Sequence, residues 1–373
     1  MRTFRVALTG DFCDSSGQVA YGNVGQDMLQ RVPYIRYHFI REHMPDPHDA
    51  SYFDRLYSLE VTPKQITNID GLIVLRPWVK STTFAYGAEQ LVVIGRSGAG
   101  YDKIDLDACT DHDVAVFNAP AALTHSTASS ALTFMLALAK RLPQQDKITR
   151  AGRWDLQSRV MGNELPGHTL GIIGLGHTGR ELARLVAPFA MRLIAYSPHA
   201  DPEAAAALGV ELLTLDELLQ QADFVSLHCR LTLATHRLLG AAELARMRPT
   251  AYLINVARGE LIDQTALVAV LREHRIAGAA LDVFEHEPLP VDDPLIQLDN
   301  VILTPHFLPA TAEIWTATGH ATTAGMLQAA RGVVPDNVVN HAVLDRPGFQ
   351  AKLVRFAENR DVLLANNDLQ PPV

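Results

Sequence analysis

The sequence predicts an α/β protein built of two doubly wound parallel-sheet domains, one inserted into the other. Three observations support this prediction: the length of 373 residues, a regular alternation of β-type and helical segments, and a glycine-rich stretch in mid-chain. The length fits roughly two domains. Alternating strands and helices are typical of parallel sheets with helices on both faces. A glycine-rich stretch that opens a domain in mid-chain indicates that a first domain is interrupted by a second.

Short apolar runs with β-type composition occur in both halves of the chain. Helical patterns fill the later gaps, for example at 216–221, 241–247 and 264–274. The predicted strands are 4–8, 71–75, 91–94 and 114–117 before the glycines, then 169–173, 193–196, 224–227, 252–256, 276–281 and 301–303.

The first domain boundary is predicted near Asn118–Leu123, where Pro120 breaks the chain before a helix at 126–142. That helix carries an apolar stripe, which predicts a core-facing or subunit-interface side: Leu132, Met135, Leu136, Ala139 and Leu142. A last helical pattern, Thr311–Arg331, would return to the first domain. The expected domains are 1–119 with 309–345, the inserted 120–308, and a C-terminal tail, 346–373, that is polar after Arg360.

Composition excludes several classes of protein. The chain has 32 basic and 41 acidic residues and no basic tract, so nucleic acid is not an expected partner. It shows no signal-peptide pattern and no apolar run of membrane-spanning length, which predicts a cytoplasmic protein without a membrane partner. The cysteines, Cys13, Cys109 and Cys229, are too widely spaced for a metal knuckle, so we expect reduced structural thiols and no metal.

The stretch "LGIIGLGHTGR", 170–180, places Gly174, Gly176 and Gly179 in the pattern G-x-G-x-x-G. Three glycines at this spacing also occur in simple tight turns. Here they join a β-type run to a helical one, which is the context that a Rossmann dinucleotide site requires. The first glycine allows the turn, the second admits a pyrophosphate and the third lets helix and strand pack closely. The helix N-terminus would bind the phosphates.

Three charged side chains directly follow predicted strands: Arg258, Glu287 and His306. Each alone is more often a solvated loop residue or a structural histidine. Ligands of open α/β sheets bind at the carboxyl ends of the strands, so these three residues are expected at one ligand site. Together they match the groups that the reduction of a 2-keto acid requires. An arginine holds a carboxylate at two points, a histidinium supplies a proton near neutral pH, and a neighbouring carboxylate favours the charged ring.

Four motifs in order, "GIIGLGHTGR", "LINVARGELID", "ALDVFEHEPL" and "LTPHFLPAT", resemble those of the D-isomer-specific 2-hydroxyacid dehydrogenases. The resemblance runs from Val92 to Asn340. It implies that Arg258 binds the substrate carboxylate, and that His306 is the acid/base and is paired with Glu287. It also implies NAD as cofactor, with NADP possible, and a homodimer formed through the nucleotide-binding domains.

The resemblance assigns further roles. Asp282 would bind the nicotinamide carboxamide, and Val256 and Ala257 would line the nicotinamide. His177 and Thr178 would touch the pyrophosphate through their main chain. The N–H groups of a loop would receive the substrate carboxylate from the other domain, and its residues are Ser97, Gly98, Ala99 and Gly100.

Some assignments stay open. Glu285 and His286 compete for the roles of Glu287 and His306, and the family spacing D-V-F-x-x-E-P selects Glu287. Two departures from the family bear on the substrate. Bulky residues, 307–309, follow the histidine where the family has small ones. The segment "LRPWVK", 75–80, keeps Arg76 but lacks the other basic and hydroxyl residues of phosphoglycerate dehydrogenases.

Hydroxypyruvate or glyoxylate is therefore the expected substrate class. The alternatives are D-3-phosphoglycerate oxidation and, in another class, an NAD(H)-sensing binding protein or corepressor. Ser197 stands where NAD-preferring relatives carry an acidic residue, which predicts weak discrimination against NADP. His199 and Arg230 could face a 2′-phosphate, and Asp201 is expected to cap a helix at Pro202.

Overall fold

The computed structural model of the protein describes residues 1–360, which form two parallel sheets. The first sheet contains β1 (Phe4–Thr9), β2 (Ile35–Ile40), β3 (Gly71–Val74), β4 (Val93–Arg96) and β5 (Ala115–Asn118). The second contains β6 (Thr169–Ile173), β7 (Arg192–Tyr196), β8 (Val210–Leu212), β9 (Phe224–Leu227), β10 (Tyr252–Asn255), β11 (Gly278–Leu281) and β12 (Val301–Leu303).

The strand orders confirm the predicted fold class. They are β2-β1-β3-β4-β5 in the first sheet and β12-β11-β10-β9-β6-β7-β8 in the second, and every pair within a sheet is parallel. Both orders reverse direction partway, at β1 and at β6. In such open sheets ligands bind outside the carboxyl ends of the strands near the reversal.

The helices cover the sheets and connect their strands. In chain order they are α1 (Gln26–Arg31), α2 (Tyr52–Tyr57), α3 (Leu106–Asp111), α4 (Pro120–Ala139), α5 (Leu142–Arg150), α6 (His177–Val186), α7 (Pro202–Ala206), α8 (Leu215–Gln221), α9 (Ala241–Leu244), α10 (Gln264–Arg272), α11 (Ala312–Ala329) and α12 (Pro347–Val354). Several begin at a side-chain N-cap, for example Asp263 on α10 and Thr311 on α11.

The chain divides into two compact units. One consists of Met1–Leu123 and the chain from Ala310 onward, and the other is Thr124–Pro309. In the first unit, α11 contributes Met326 and Leu327 to the core under β1 and β4. In the second, the apolar faces of α4 and α6 pack on one side of the sheet, and those of α8 and α10 lie on the other.

Sequence and structure differ at several elements. The strands β2 and β8 were not predicted. Both lie at sheet edges, where exposed polar side chains such as Arg36 interrupt the apolar pattern. Helix α4 begins at Pro120, six residues before its expected start, because proline is tolerated in the first helical turn. Its buried apolar residues include Met135 and Ala139 of the predicted stripe, together with Ala128, Ala131, Phe134 and Leu138. Leu132 and Leu136 of that stripe are partly buried against the same core, and Leu142 lies beyond the helix, at the start of α5.

The expected C-terminal tail, 346–373, also differs. Its first part forms α12, and Phe349, Leu353 and Phe356 are buried in the core of the first unit. Residues 346–360 are therefore part of that unit, because their apolar side chains need a core to cover them. The polar tail predicted after Arg360 lies outside the described residues. Among residues 1–360, none of the helices combines the length and hydrophobicity that a bilayer crossing requires.

Candidate active site

The three glycines lie at the turn between β6 and α6. Gly174 has φ of 98°, a conformation that L side chains rarely adopt, and a Cβ there would lie 2.5 Å from Cys229 N. A Cβ on Gly179 would overlap the carbonyl oxygen of Gly174, so helix and strand pack too closely for any side chain. Apart from its own chain neighbours, no atom of residues 1–360 lies within 4 Å of a Cβ position on Gly176, which leaves open space at the start of the helix.

The N-terminus of α6 fits the binding of a phosphate group. Gly176 occupies the N-cap, and within the described part of the chain no N-cap side chain bonds to the first-turn N–H groups. His177 is exposed and Thr178 half-buried, and both lie in this first turn. The open space at Gly176 and the positive end of the helix dipole are the features that a dinucleotide pyrophosphate requires.

Ser197 directly follows β7 and is half-buried. The Asp201 carboxylate accepts a hydrogen bond from Glu203 N at 3.0 Å and caps α7, as the sequence predicted. His199 and Arg230 are both exposed. The position that reads the adenine ribose in this fold is therefore occupied by a neutral hydroxyl, and the nearest acidic residue already serves as a helix cap.

Arg258 lies on the loop after β10, and the buried side chain of Asn255 orders that loop. Asn255 Nδ2 donates to Arg258 O at 2.7 Å, and Asn255 Oδ1 accepts from Ala257 N at 3.0 Å. Gly259 packs so closely on the backbone of Phe284 that a Cβ would overlap it. This contact brings the loop after β10 against the loop after β11, with Val256 buried between strand and loop.

Glu287 and His306 form a direct pair across the loops after β11 and β12. His306 Nδ1 lies 2.7 Å from Glu287 Oε2, and the second carboxylate oxygen accepts from Phe284 N at 3.1 Å. Burial alone would raise the pKa of Glu287. The hydrogen bond and positive charge of His306, the Phe284 N–H and the charge of Arg258 outweigh it, so the pKa lies below its ordinary value.

The backbone around His306 is held by Asp282. The histidine itself has φ of 53°, a left-handed conformation that histidine tolerates better than most residues. Asp282 is buried, and its Oδ1 accepts from Thr304 Oγ1 at 2.5 Å, Phe307 N at 3.0 Å and Leu308 N at 3.1 Å. One carboxylate oxygen thus fixes the loop on both sides of the histidine.

The neighbours that competed for these roles are placed differently. Glu285 Oε1 accepts from Arg237 Nε at 3.2 Å, and His286 is exposed. Glu287 is therefore the carboxylate that contacts His306, as the family spacing predicts.

The loop Ser97–Gly100 follows β4 in the first unit. Ser97 N donates to Val74 O and Gly98 N to Arg96 O, both at 2.9 Å, so these two N–H groups are used within the chain. Two of the four N–H groups of the loop then remain for the carboxylate that the resemblance assigns to it. Ala99 and Gly100 are the members of the loop whose N–H groups have no partner within residues 1–360.

Three residues that organise the site were not identified from the sequence: Asn255, Gly259 and Thr304. A signal existed in each case. Asn255 is a polar residue at the end of an apolar run, where a buried side chain must hydrogen-bond to the backbone. Gly259 directly follows an arginine expected in a site, and Thr304 lies two residues before the histidine.

Comparison with known proteins identifies the family. The profile of the D-isomer specific 2-hydroxyacid dehydrogenase NAD binding domain matches residues 132–307. A glyoxylate reductase of Korarchaeum cryptofilum is 37% identical over 298 residues, which are 79% of this chain and 90% of the relative. A D-3-phosphoglycerate dehydrogenase of Methanocaldococcus jannaschii is 41% identical over 74% of this chain, although the match spans only 53% of that relative.

A solved structure shares the fold of this chain. A protein from Thermus thermophilus is 31% identical and superposes with a TM-score of 0.75 over 90% of this chain and 100% of its own. With this fold, a glycine turn that fits a dinucleotide, and a relative that is similar over most of both chains, the protein belongs to the D-isomer specific 2-hydroxyacid dehydrogenases, NAD-binding enzymes that act on 2-hydroxy acids.

Proposed function

We propose that this enzyme reduces small 2-keto acids of the hydroxypyruvate or glyoxylate type with a nicotinamide cofactor. The observation that carries the proposal is the 2.7 Å contact between His306 Nδ1 and Glu287 Oε2, on a carboxylate that also feels the charge of Arg258. A cation, a proton donor and its orienting carboxylate are the three groups that keto-acid reduction needs from the protein.

Arg258 binds the substrate carboxylate in two-point fashion and orients the keto group. His306 donates a proton from Nε2 to the developing alkoxide, because Nδ1 is engaged by Glu287. Glu287 holds the ring in place and favours its charged form. Asp282 acts through the loop of His306 and also faces the proposed carboxamide of the nicotinamide. The nicotinamide, when bound, supplies the hydride.

The cofactor would lie on the second unit. Gly174, Gly176 and Gly179, with the main chain of His177 and Thr178, hold the pyrophosphate. Ser197 contacts the adenine ribose, and Val256 and Ala257 line the nicotinamide. Because Ser197 lacks the charge that repels a 2′-phosphate, we propose that NAD is favoured only slightly and that NADP is accepted.

The two units have different proposed roles. The second binds the cofactor, and the first contributes the substrate loop, where Ala99 and Gly100 N–H are the carboxylate donors. The active molecule is proposed to be a homodimer in the cytoplasm, formed through the cofactor-binding units.

The test is the fall in NADH or NADPH absorbance with a panel of 2-keto acids. We expect turnover with hydroxypyruvate or glyoxylate, and none in the variant His306→Gln at neutral pH. Turnover confined to 3-phosphohydroxypyruvate would favour the phosphoglycerate activity named for the Methanocaldococcus relative. Cofactor binding without turnover of any keto acid would favour a sensing protein.

A further inference from the structure

The first unit carries an ion pair at the same sheet edge as the proposed substrate loop. Asp11 follows β1, Arg76 follows β3 and Ser97 follows β4, and these strands are direct neighbours in the sheet. Hydrogen bonds join their ends: Leu75 N donates to Thr9 Oγ1 at 3.1 Å, and Ser97 N donates to Val74 O at 2.9 Å. Parallel strands place all three residues at one carboxyl edge, where ligands of such sheets bind.

Asp11 and Arg76 are paired at two points. The backbone N–H of Arg76 donates to Asp11 Oδ2 at 2.9 Å, and Arg76 Nη1 lies 3.5 Å from the same oxygen. The Asp11 side chain is fully buried, and 18% of the Arg76 side chain is exposed. The carboxylate therefore lies behind the guanidinium, and only the guanidinium reaches the surface.

Aromatic rings hold the guanidinium in this position. Arg76 Nη2 donates to the Tyr21 hydroxyl at 3.1 Å, and the guanidinium carbon lies 5.7 Å from the Tyr21 ring centre and 5.9 Å from that of Tyr57. Tyr21 in turn stacks on Trp315 with ring centres 4.0 Å apart. Burial alone would lower the pKa of Arg76, but Asp11 and Tyr21 raise it, so the guanidinium stays charged.

The charge of the pair decides which ligands this edge accepts. An arginine without a partner at a dry sheet edge attracts phosphate or carboxylate strongly. A buried carboxylate beside the arginine offsets that attraction. Its negative charge also repels an incoming anion, because charges away from water are poorly screened. Of the two lysines nearby, Lys80 is itself paired with Glu60, and Lys103 lies over the Trp78 ring and donates to Tyr57 O.

We propose that Asp11 is a specificity-determining residue: by pairing with Arg76 it restricts the enzyme to 2-keto acids whose distal group, opposite the carboxylate, carries no negative charge. This inference rests on the proposed function. It selects substrates such as glyoxylate and hydroxypyruvate, and excludes those with a distal phosphate or second carboxylate. Arg76 remains as a donor to an uncharged oxygen.

The test compares kcat/KM for 3-phosphohydroxypyruvate and hydroxypyruvate in each variant. In the wild type we expect hydroxypyruvate to be preferred. Asp11→Asn should raise the ratio of phosphorylated to unphosphorylated substrate by about tenfold, since it frees the charge of Arg76. The double variant Asp11→Asn/Arg76→Gln should lose that gain. A ratio cancels differences in the amount of folded enzyme.

Asp70→Asn is the matched control. Asp70 is also buried in the first unit, but it precedes β3 and lies at the opposite, amino edge of the sheet. The Asp70→Asn substitution removes the same charge from the molecule and should leave the ratio of kcat/KM for the two substrates unchanged. A wild type that prefers the phosphorylated substrate, or a folded Asp11→Asn variant with an unchanged ratio, would overturn the inference. If Asp11→Asn does not fold, the preference of the wild type between the phosphorylated and the unphosphorylated substrate still tests the inference. If the wild type reduces no 2-keto acid, the proposed function fails instead.

Discussion

At the scale of single residues, the proposed reaction depends on the contact between the Arg258 guanidinium and the substrate carboxylate. Arg258→Lys should lower kcat/KM by about 2–4 kcal/mol of transition-state stabilisation, because a two-point contact with a carboxylate becomes a one-point contact. Cofactor affinity, measured by fluorescence titration, should stay the same. Arg237→Lys is the matched control, since Arg237 pairs with Glu285 on the neighbouring loop. Wild-type kcat/KM in Arg258→Lys would disprove the assignment.

The pair of Glu287 and His306 predicts a pH effect. Keto-acid reduction needs a protonated His306, so activity falls on the alkaline side of the profile. Glu287, whose pKa is lowered, is ionised throughout the neutral range and favours the imidazolium. Glu287→Gln removes that anion, and the alkaline fall in kcat/KM should move to lower pH. Glu285→Gln, which alters a carboxylate bonded to Arg237 instead, should leave the profile in place; equal profiles in all three proteins would count against the pairing.

Ser197 predicts how the enzyme discriminates between cofactors. Ser197→Asp should weaken NADPH selectively, by roughly 1–3 kcal/mol, because a phosphate would then face an unpaired like charge. The dissociation constants of NADH and NADPH measure this directly. Ala206→Asp adds the same charge on the exposed side of α7 and should leave the ratio of the two constants unchanged. Strict NADH use by the wild type would show that another residue reads the ribose.

At the scale of elements, two glycines of the turn after β6 have different expected roles, Gly179 in stability and Gly176 in cofactor binding. Gly179→Ala forces a methyl group against the carbonyl oxygen of Gly174 and should destabilise the fold by about 1–3 kcal/mol. Gly176→Ala meets open space, so the melting temperature without cofactor should hold while NADH affinity falls. Thermal unfolding with and without NADH distinguishes the two. Equal melting temperatures for both variants would contradict the packing argument.

The loops after β10, β11 and β12 show how elements place a site. Each strand delivers one charged residue to the same edge, and backbone contacts within these loops set their spacing. Asn255 orders the first loop, Gly259 allows it to touch the second, and Asp282 fixes the third.

At the scale of the whole molecule, exposed apolar side chains predict self-association. Leu142, Trp154 and Met161 are 60%, 65% and 74% exposed, all within a short stretch of the second unit. Large exposed apolar side chains are typical of interaction surfaces, and these three are close together in the sequence. Light scattering should give twice the chain mass of 40.8 kDa, and Trp154→Glu should shift it toward the monomer. Leu233→Glu, at a fully exposed site elsewhere, is the control. A monomeric wild type at micromolar concentration would reject the proposed dimer.

The sequence by itself determined the fold class and the strand ends at which the charged residues of the candidate site lie. Most strands consist largely of apolar residues, because both faces of a parallel sheet are covered, and such runs can be recognised in the sequence without knowledge of their neighbours in space. Gly174, Gly176 and Gly179 could also be recognised from the sequence, since their spacing follows from backbone sterics alone. Arg258, Glu287 and His306 could be found because parallel strands end at one edge.

Tertiary structure decided what depends on partners distant in the chain. Edge strands β2 and β8 form because a neighbouring strand pairs with them, and α12 is ordered because a core covers Phe349. Glu287 rather than Glu285 faces His306 because the fold of the loop sets side-chain direction, which has no period in sequence. Asp11 and Arg76 are 65 residues apart, and only the pairing of β1 with β3 makes their opposite charges one group.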